Sequence, residues 1–531
     1  MKLLPLQAAM AAVLLSAAAG LAAKPLVVCT ESSPEGFDIV QFTTAVTADA
    51  SAETVFNRLV DFKPGTTEIQ PALAEKWEIS ADGLTYTFHL RPGVKFHTTD
   101  YFKPTREMNA DDVLWSIRRQ LDPNHPWHDK SSVGFPYFES MGFKDLLKSV
   151  EKTDDHTVVF TLTRPEAPFL RDLAMAFTSI YSAEYGDQLL KAGKTSDLNN
   201  KPIGTGAFIF QRYSKDAQVR FKANPEYFRG KPPSDTLVFA ITPDNNVRLQ
   251  KLRANECQVA LYPKPDSVEG IKADPKLKVA EMEALTTGYI SLNTEHKYLN
   301  DVRVRKAISY AFDRQTHVNQ LFGKGNAVIG VNPYPPTMLG YNTANQNPPL
   351  DLDKARALIK EAGVPEGTVL TLFTRNGGGA TNPNPSLSAQ LFQADLAKIG
   401  LKVDIRVMEW AEMLSRAKKG EADMVSAGWA SDNGDPDNFL SPLLSCDAVK
   451  SGENYSRWCN KQFQDLISKA REVSADTERG ALYSQALAVY DAEQPWISIA
   501  HPKMFTAMRN NVEGYHINPL TNNNFATTQV K

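Results

Sequence analysis

At 531 residues, with 42% apolar and 22% charged residues, the chain is too long for one hydrophobic core and too apolar to be disordered, so two or three globular domains are expected. Lys plus Arg (58) against Asp plus Glu (61) gives a net charge of −3, with no run of either sign. That balance offers no electrostatic footprint for nucleic acid or anionic lipid.

Met1-Lys2 is followed by an uncharged stretch rich in Ala and Leu from Leu3 to Ala23, which ends in small residues. This is the pattern of a secretory signal peptide over residues 1–22. Cleavage after Ala22 puts Gly20 and Ala22 at the two recognition positions, whereas cleavage after Ala23 puts the larger Leu21 at one of them. The first cysteine, Cys29, is too far from the small-residue cluster for a lipoprotein, and no second long apolar run follows. A soluble, exported chain is expected. Export makes Cys29, Cys257, Cys446 and Cys459 readable as two disulfides, with three connectivities open. The short spacing of Cys446 and Cys459 in a loop-like stretch favours a local bridge, which leaves Cys29 for Cys257 and joins the N-terminus to the middle of the chain.

Along the chain, strand and helix periodicities alternate, which predicts an α/β architecture. Leu26-Val27-Val28 reads as a buried strand. Trp77 to Phe96, with turns at Asp82-Gly83 and Pro92-Gly93, reads as a β-meander. Asn109 caps a helix whose first turn holds Asp111 and Asp112. A strand follows the Asp154-Asp155 turn, and residues from about 55 to 205 form a β-rich unit. Ile203 to Phe208 reads as a glycine-lined crossing back to the core. Leu237 to Ile241 is an apolar run of parallel-strand type, followed by a helix near Asn245 to Ala254. Gly288 to Asn293 leads out as a strand to a second α/β lobe with helices at 301–313, 351–362 and 386–399 and strands at 403–407 and 424–427. Trp496 to Pro502 is a strand able to return to the first lobe. Several strands crossing between two lobes is what a hinge-closing ligand trap requires.

Enzyme signatures are sparse. G-x-S-x-G and H-E-x-x-H are absent, and the S-x-x-K matches at Ser149–Lys152 and Ser415–Lys418 lack a K-T-G partner. His125 and His128 sit in a proline-rich loop and read as surface residues. No cofactor or metal is expected. The most distinctive stretch, Ala427 to Phe439, places Asp432, Asp435 and Asp437 among Gly, Pro and Asn at a strand's carboxyl end. A carboxylate beside Trp429 suits a cationic amine, while a plain turn, with Asp and Asn chosen for backbone geometry, accounts for the same composition.

The chain resembles the periplasmic substrate-binding proteins of peptide-type ABC transporters over essentially its whole mature length. The resemblance is carried by Cys29 with Glu31 to Phe37, Leu73 to Glu78, Thr85 to Arg91, Leu162 to Phe169, Pro202 to Gly206, Asn255 to Val259 and Gly428 to Phe439. It implies the two disulfides paired above and a large two-lobed Venus-flytrap fold of the peptide-binding subclass with an extra β-rich domain. The expected division is a first-lobe core of 23–55, 205–285 and 500–531, the extra domain at 56–204 and a second lobe at 286–499. It also implies a periplasmic, non-enzymatic monomer that captures di- or short peptides and meets an inner-membrane ABC permease.

In this family the peptide lies extended, held by an acid and an arginine. The acid of the G-W-x-x-D motif falls on Asp432, beside Trp429. The arginine of the R-P-Y-N-P-N pattern is replaced by Gly379, followed by Ala380 and Thr381, with only Asn382-Pro383-Asn384 matching. Either another group holds the ligand carboxylate or the ligand lacks one there. Arg375, in a loop loosened by three glycines, is the candidate substitute or else a solvated surface residue. Thr44 and Ala45 complete the candidate ligand-binding set with Asp432, Trp429, Arg375, Gly379 and Thr381. The alternatives are a carrier of a different ligand, such as haem, a modified peptide or another amine-bearing solute, and an exported hydrolase.

Overall fold

The computed structural model describes residues 25–131 and 133–531, so the signal peptide expected at 1–22 lies outside the described residues. The centre of the fold is a twelve-stranded mixed sheet. Leu26–Thr30 pairs in parallel with Thr236–Ile241 on one side and Val259–Leu261 on the other, with Cys29 level with Ala240. Both neighbours are continuous apolar strands, buried on two faces as parallel strands must be. Cys29 and Cys257 form a disulfide at this point, as expected. Antiparallel strands Gln218–Ala223 and Phe208–Ser214 complete that side.

The other side of the sheet is built from Thr286–Leu292, Met424–Ala430, Val369–Arg375 and Lys402–Met408. One strand belongs to both sides. Trp496–Arg509 pairs with Thr286–Leu292 through Trp496 to Ala500, then with Leu277–Glu283 through Lys503 to Arg509. The sequence places its end at Pro502, yet the ladder continues, because Pro502 stands opposite Ala327 on a short neighbouring strand and the apolar run resumes at Met504.

One buried cluster lies wholly on the second side, whereas another runs from the first side into residues of the second such as Tyr289, Phe439 and Trp496. Ile290, Ile308, Leu372, Phe392, Leu396, Met424 and Ile497 form one cluster. Around it pack Val302–Ala311, capped by Asp301, and Pro385–Ala397, where Asn384 Oδ1 accepts from the Leu387 amide and Pro385 opens the helix. Leu26, Val28, Phe210, Phe221 and Phe239 belong to another cluster, continuous with residues of the 56–204 segment.

That segment holds an antiparallel sheet in the order Ala74–Ile79, Thr85–Leu90, Thr157–Leu162, Leu147–Asp154. It is also helical, most plainly at Ala110–Leu121, whose Asn109 and Asp112 make a reciprocal capping box. The expected meander stops at Leu90: Val94 to Phe96 are not in a strand. The crossing at Gly204 and Gly206 is built on close approach, since a Cβ there would come within 2.1 and 2.5 Å of the Val55 and Thr54 carbonyl oxygens. Cys446 and Cys459 form the second disulfide. The first half of the stretch between them, read as a loop from sequence, is the helix Cys446–Ser451, capped by the Ser445 hydroxyl. Among the described residues, no helix is long and apolar enough to cross a membrane.

Candidate functional site

The strand Met424–Ala430 runs parallel to Val369–Arg375, so Asp432 and Arg375 both leave the sheet at its carboxyl edge. Glu31 leaves at the carboxyl end of Leu26–Thr30. In open α/β sheets this edge is where ligands bind.

The three acids of the Asp432 loop separate by what each one touches. Asp435 is buried and receives Arg479 Nη2 on both oxygens, at 2.9 and 2.8 Å. Asp437 is buried 3.6 Å from Arg471 Nε, with Ser441 donating to it. Asp432 alone has no ion pair, and its buried Oδ2 has no hydrogen-bond partner among the described residues. Burial pushes its carboxyl up to about 7, while the Tyr137 hydroxyl and Asn438 hold it down. Asn438 Oδ1 accepts from both Trp429 Nε1 (3.1 Å) and the Asp432 amide (2.9 Å), so one side chain fixes the tryptophan and the acid together. The turn-geometry reading also holds for part of the loop, since Asn433 and Asp435 each accept from a backbone amide two residues on.

Asp432 faces a cavity also lined by Phe42, Thr44, Ala45, Tyr137 and Met175. Thr44 and Ala45, far away in sequence, therefore meet Asp432. Thr44 Oγ1 donates to Glu35 Oε1 at 2.6 Å. Trp429 is not in the lining of this cavity and reaches Asp432 only through Asn438.

At the other end, Arg375 stacks over Trp410, with the guanidinium 4.8 Å from the ring centre. Burial lowers its pKa from the ordinary value, and Glu31 opposes that shift. Residues 379 to 382 close a tight hairpin in which the Gly379 amide donates to the Asn382 carbonyl at 2.9 Å. A Cβ on Gly379 would lie 2.6 Å from Arg375 Nη2. Arg375 thus occupies the space that the missing side chain leaves. Thr381 lines neither cavity; it rests on Gly428 and Gly288, which are paired across their strands. A Cβ on Gly428 would come within 2.2 Å of Thr381 Oγ1.

A second cavity lies on this side, lined by Glu31, Arg248, Tyr262, Lys264, Gly379 and Lys503 among others. Burial raises the Glu31 carboxyl, its own backbone amide, Arg248 and Arg375 pull it down, and its buried Oε2 has no hydrogen-bond partner among the described residues. Sequence reasoning passed over Tyr137, Asn438, Trp410 and Glu31. Only Glu31 carried a usable signal, an acid directly after a buried strand.

Contacts also run from segment 56–204 to the Asp432 side. Asn433 Nδ2 donates to Asp172 Oδ1 (2.7 Å), and Arg471 Nε donates to Glu166 Oε1 (2.6 Å).

A match to the family described as bacterial extracellular solute-binding proteins, family 5 (middle), spans residues 68–451. The chain is 63% identical over 528 residues to di/tripeptide-binding protein 4 of Pseudomonas aeruginosa, covering 99% of this chain and 98% of that protein. A periplasmic binding protein of a Helicobacter pylori ABC transporter, solved with the peptide STSA, superposes with a TM-score of 0.90 at 37% identity, covering 96% of this chain and 98% of that one. A dipeptide-binding protein from Pseudoalteromonas in complex with Met-Leu gives a TM-score of 0.91 at 35% identity, covering 96% and 100%. With its two-sided sheet, its paired disulfides and an acid left open at the carboxyl edge, the chain belongs to the bacterial extracellular solute-binding proteins of family 5.

Proposed function

We propose that this chain is the periplasmic receptor of an ABC importer and encloses a di- or short peptide between two lobes. The first lobe is taken as residues 23–55, 205–285 and 500–531 with the extra domain 56–204, and the second as 286–499. Asp432 receives the peptide's ammonium and Arg375 its carboxylate, with the side chain of Gly379 absent so that the guanidinium has room. The monomer, exported by a signal peptide at 1–22, closes on its ligand and is then read by an inner-membrane permease.

The observation that carries this reading is the buried, unpartnered Oδ2 of Asp432. A buried carboxylate oxygen without a hydrogen bond is costly, and a ligand ammonium supplies the missing donor. Arg375 supports the other end: it has a stacking partner but, among the described residues, no hydrogen bond, which leaves its planar donor fork for a carboxylate.

The test is native mass spectrometry of protein purified without refolding, followed by a thermal-shift screen of dipeptides. A retained peptide mass, or a rise in Tm with a neutral dipeptide such as Ala-Ala, is expected. A different retained mass with no response to any dipeptide would refute the peptide reading.

A further inference from the structure

The cavity beside Gly379 has a charge pattern that binding of a peptide's two ends does not use. Arg248, Lys264 and Lys503 line it, Arg375 lies against its Gly379 wall, and Glu31 is the one carboxylate in the lining. Arg248 is 3% exposed and donates to the carbonyls of Thr242, Pro243, Leu261 and Tyr262. Those bonds hold it rigid, and the carboxylates that act on its charge are Glu31 and Asp244. Lys503 is answered in part by Glu281, whose carboxyl it helps to lower. Lys264 is half-buried, with no hydrogen bond or ion pair to its ammonium among the described residues. The positive end of the helix Asn245–Arg253 adds to the same field, since Asn245 also lines the cavity.

We infer that this cavity receives the side chain of the peptide residue that bears the carboxylate, and that it selects an acidic one, aspartate or glutamate. The inference rests on the peptide-binding reading above. Once Arg375 holds the main-chain carboxylate, the adjacent side chain enters a chamber whose remaining cations outnumber its single acid. The other walls, Pro263, Phe322, Met504 and Phe505, suit the methylene stem of such a side chain. Glu31 alone would favour a basic side chain, but Arg248 and Arg375 already pull on its carboxyl. A lysine or arginine entering there would face the three cations of the lining, Arg248, Lys264 and Lys503, whose repulsion opposes it.

Calorimetry with Ala-Ala, Ala-Gln, Ala-Glu and Ala-Lys tests this, Gln and Glu being matched in size. Ala-Glu should bind about five- to tenfold tighter than Ala-Gln, with Ala-Lys weakest. The Glu-over-Gln ratio should shrink in Lys264→Gln and with added salt. Equal binding of Ala-Glu and Ala-Gln, or tightest binding of Ala-Lys, overturns the acidic preference while leaving peptide capture intact. A Glu-over-Gln ratio unchanged in Lys264→Gln overturns the assignment of this cavity. No binding of any of the four overturns peptide capture itself.

Discussion

Arg375 and Gly379 exchange space: the guanidinium of the first fills the volume that a side chain on the second would need, with Nη2 placed 2.6 Å from the missing Cβ. The obstructing atom is the far end of a flexible side chain, and Gly379 does not need left-handed backbone. Gly379→Ala should therefore fold normally, with Tm within about 2 °C of wild type. It should displace Arg375 from Trp410 and weaken Ala-Ala binding by about tenfold, as read by calorimetry. Unchanged affinity would remove Arg375 from the site.

Asp432→Asn separates a binding role from a structural one by the sign of its stability effect. Removing a buried carboxylate with an unpartnered oxygen should leave the Tm of the ligand-free protein unchanged or raise it, while peptide affinity falls about 100-fold or more. A drop in Tm would instead mark Asp432 as a folding residue.

The same group predicts a pH dependence. An ammonium pairs with the ionised carboxylate, and burial raises Asp432 from 3.8 to about 7. Affinity for Ala-Ala should climb as pH rises through that window and level off above it. In Asp432→Asn this climb should vanish, so a profile of equal slope in the variant would assign the dependence elsewhere.

Glu166 works in the opposite direction. Burial pushes its carboxyl from 4.5 up to about 7, with Arg471 and Arg164 holding it down and Asp437 pushing it further. Asp172 belongs to the same cluster, its own carboxyl pushed well up by burial and by Glu166. A carboxyl whose pKa is raised by burial in the folded chain contributes stability that is full below 4.5 and is lost as pH rises through about 7. The peptide-bound protein should lose at most about 3 kcal/mol through this group over that range. Glu166→Gln should flatten this part of the Tm profile measured with saturating Ala-Ala.

Cys29 and Cys257 are 228 positions apart, so their bridge restricts the unfolded chain far more than the 13-residue closure of Cys446 and Cys459. Replacing Cys29 and Cys257 together by serine should cost about 3 to 5 kcal/mol, and the Cys446/Cys459 pair about 2 to 3, as read by denaturant unfolding of the two variants.

Periodicity located most of the central sheet because its parallel strands are continuous apolar runs, as at Leu237 to Ile241, and its helices are bounded by capping residues such as Asp301 and by Gly363 and Gly400 at positive φ. Sequence reading lost the far half of Trp496–Arg509 because proline usually ends a central strand, whereas here Pro502 is carried through. It singled out Asp432 only through a family motif. Asp435 and Asp437 look identical to it locally, and the arginines that neutralise them, Arg479 and Arg471, arrive from distant helices. Tyr137 was invisible as a neighbour of Asp432 for the same reason: the cavity is assembled from five separate stretches of chain, around Thr44, Tyr137, Met175, Asp432 and Asn522.

The order of the cysteines along the chain has a consequence for how the bonds can be made. Both native pairs join cysteines that are consecutive in sequence, Cys29 with Cys257 and then Cys446 with Cys459. A chain delivered amino terminus first to an oxidising compartment presents Cys29 and Cys257 before either of the others has emerged. An oxidase that simply joins each newly arrived thiol to the one left waiting therefore writes the native connectivity, and the other two of the three possible pairings need never form or be undone by an isomerase.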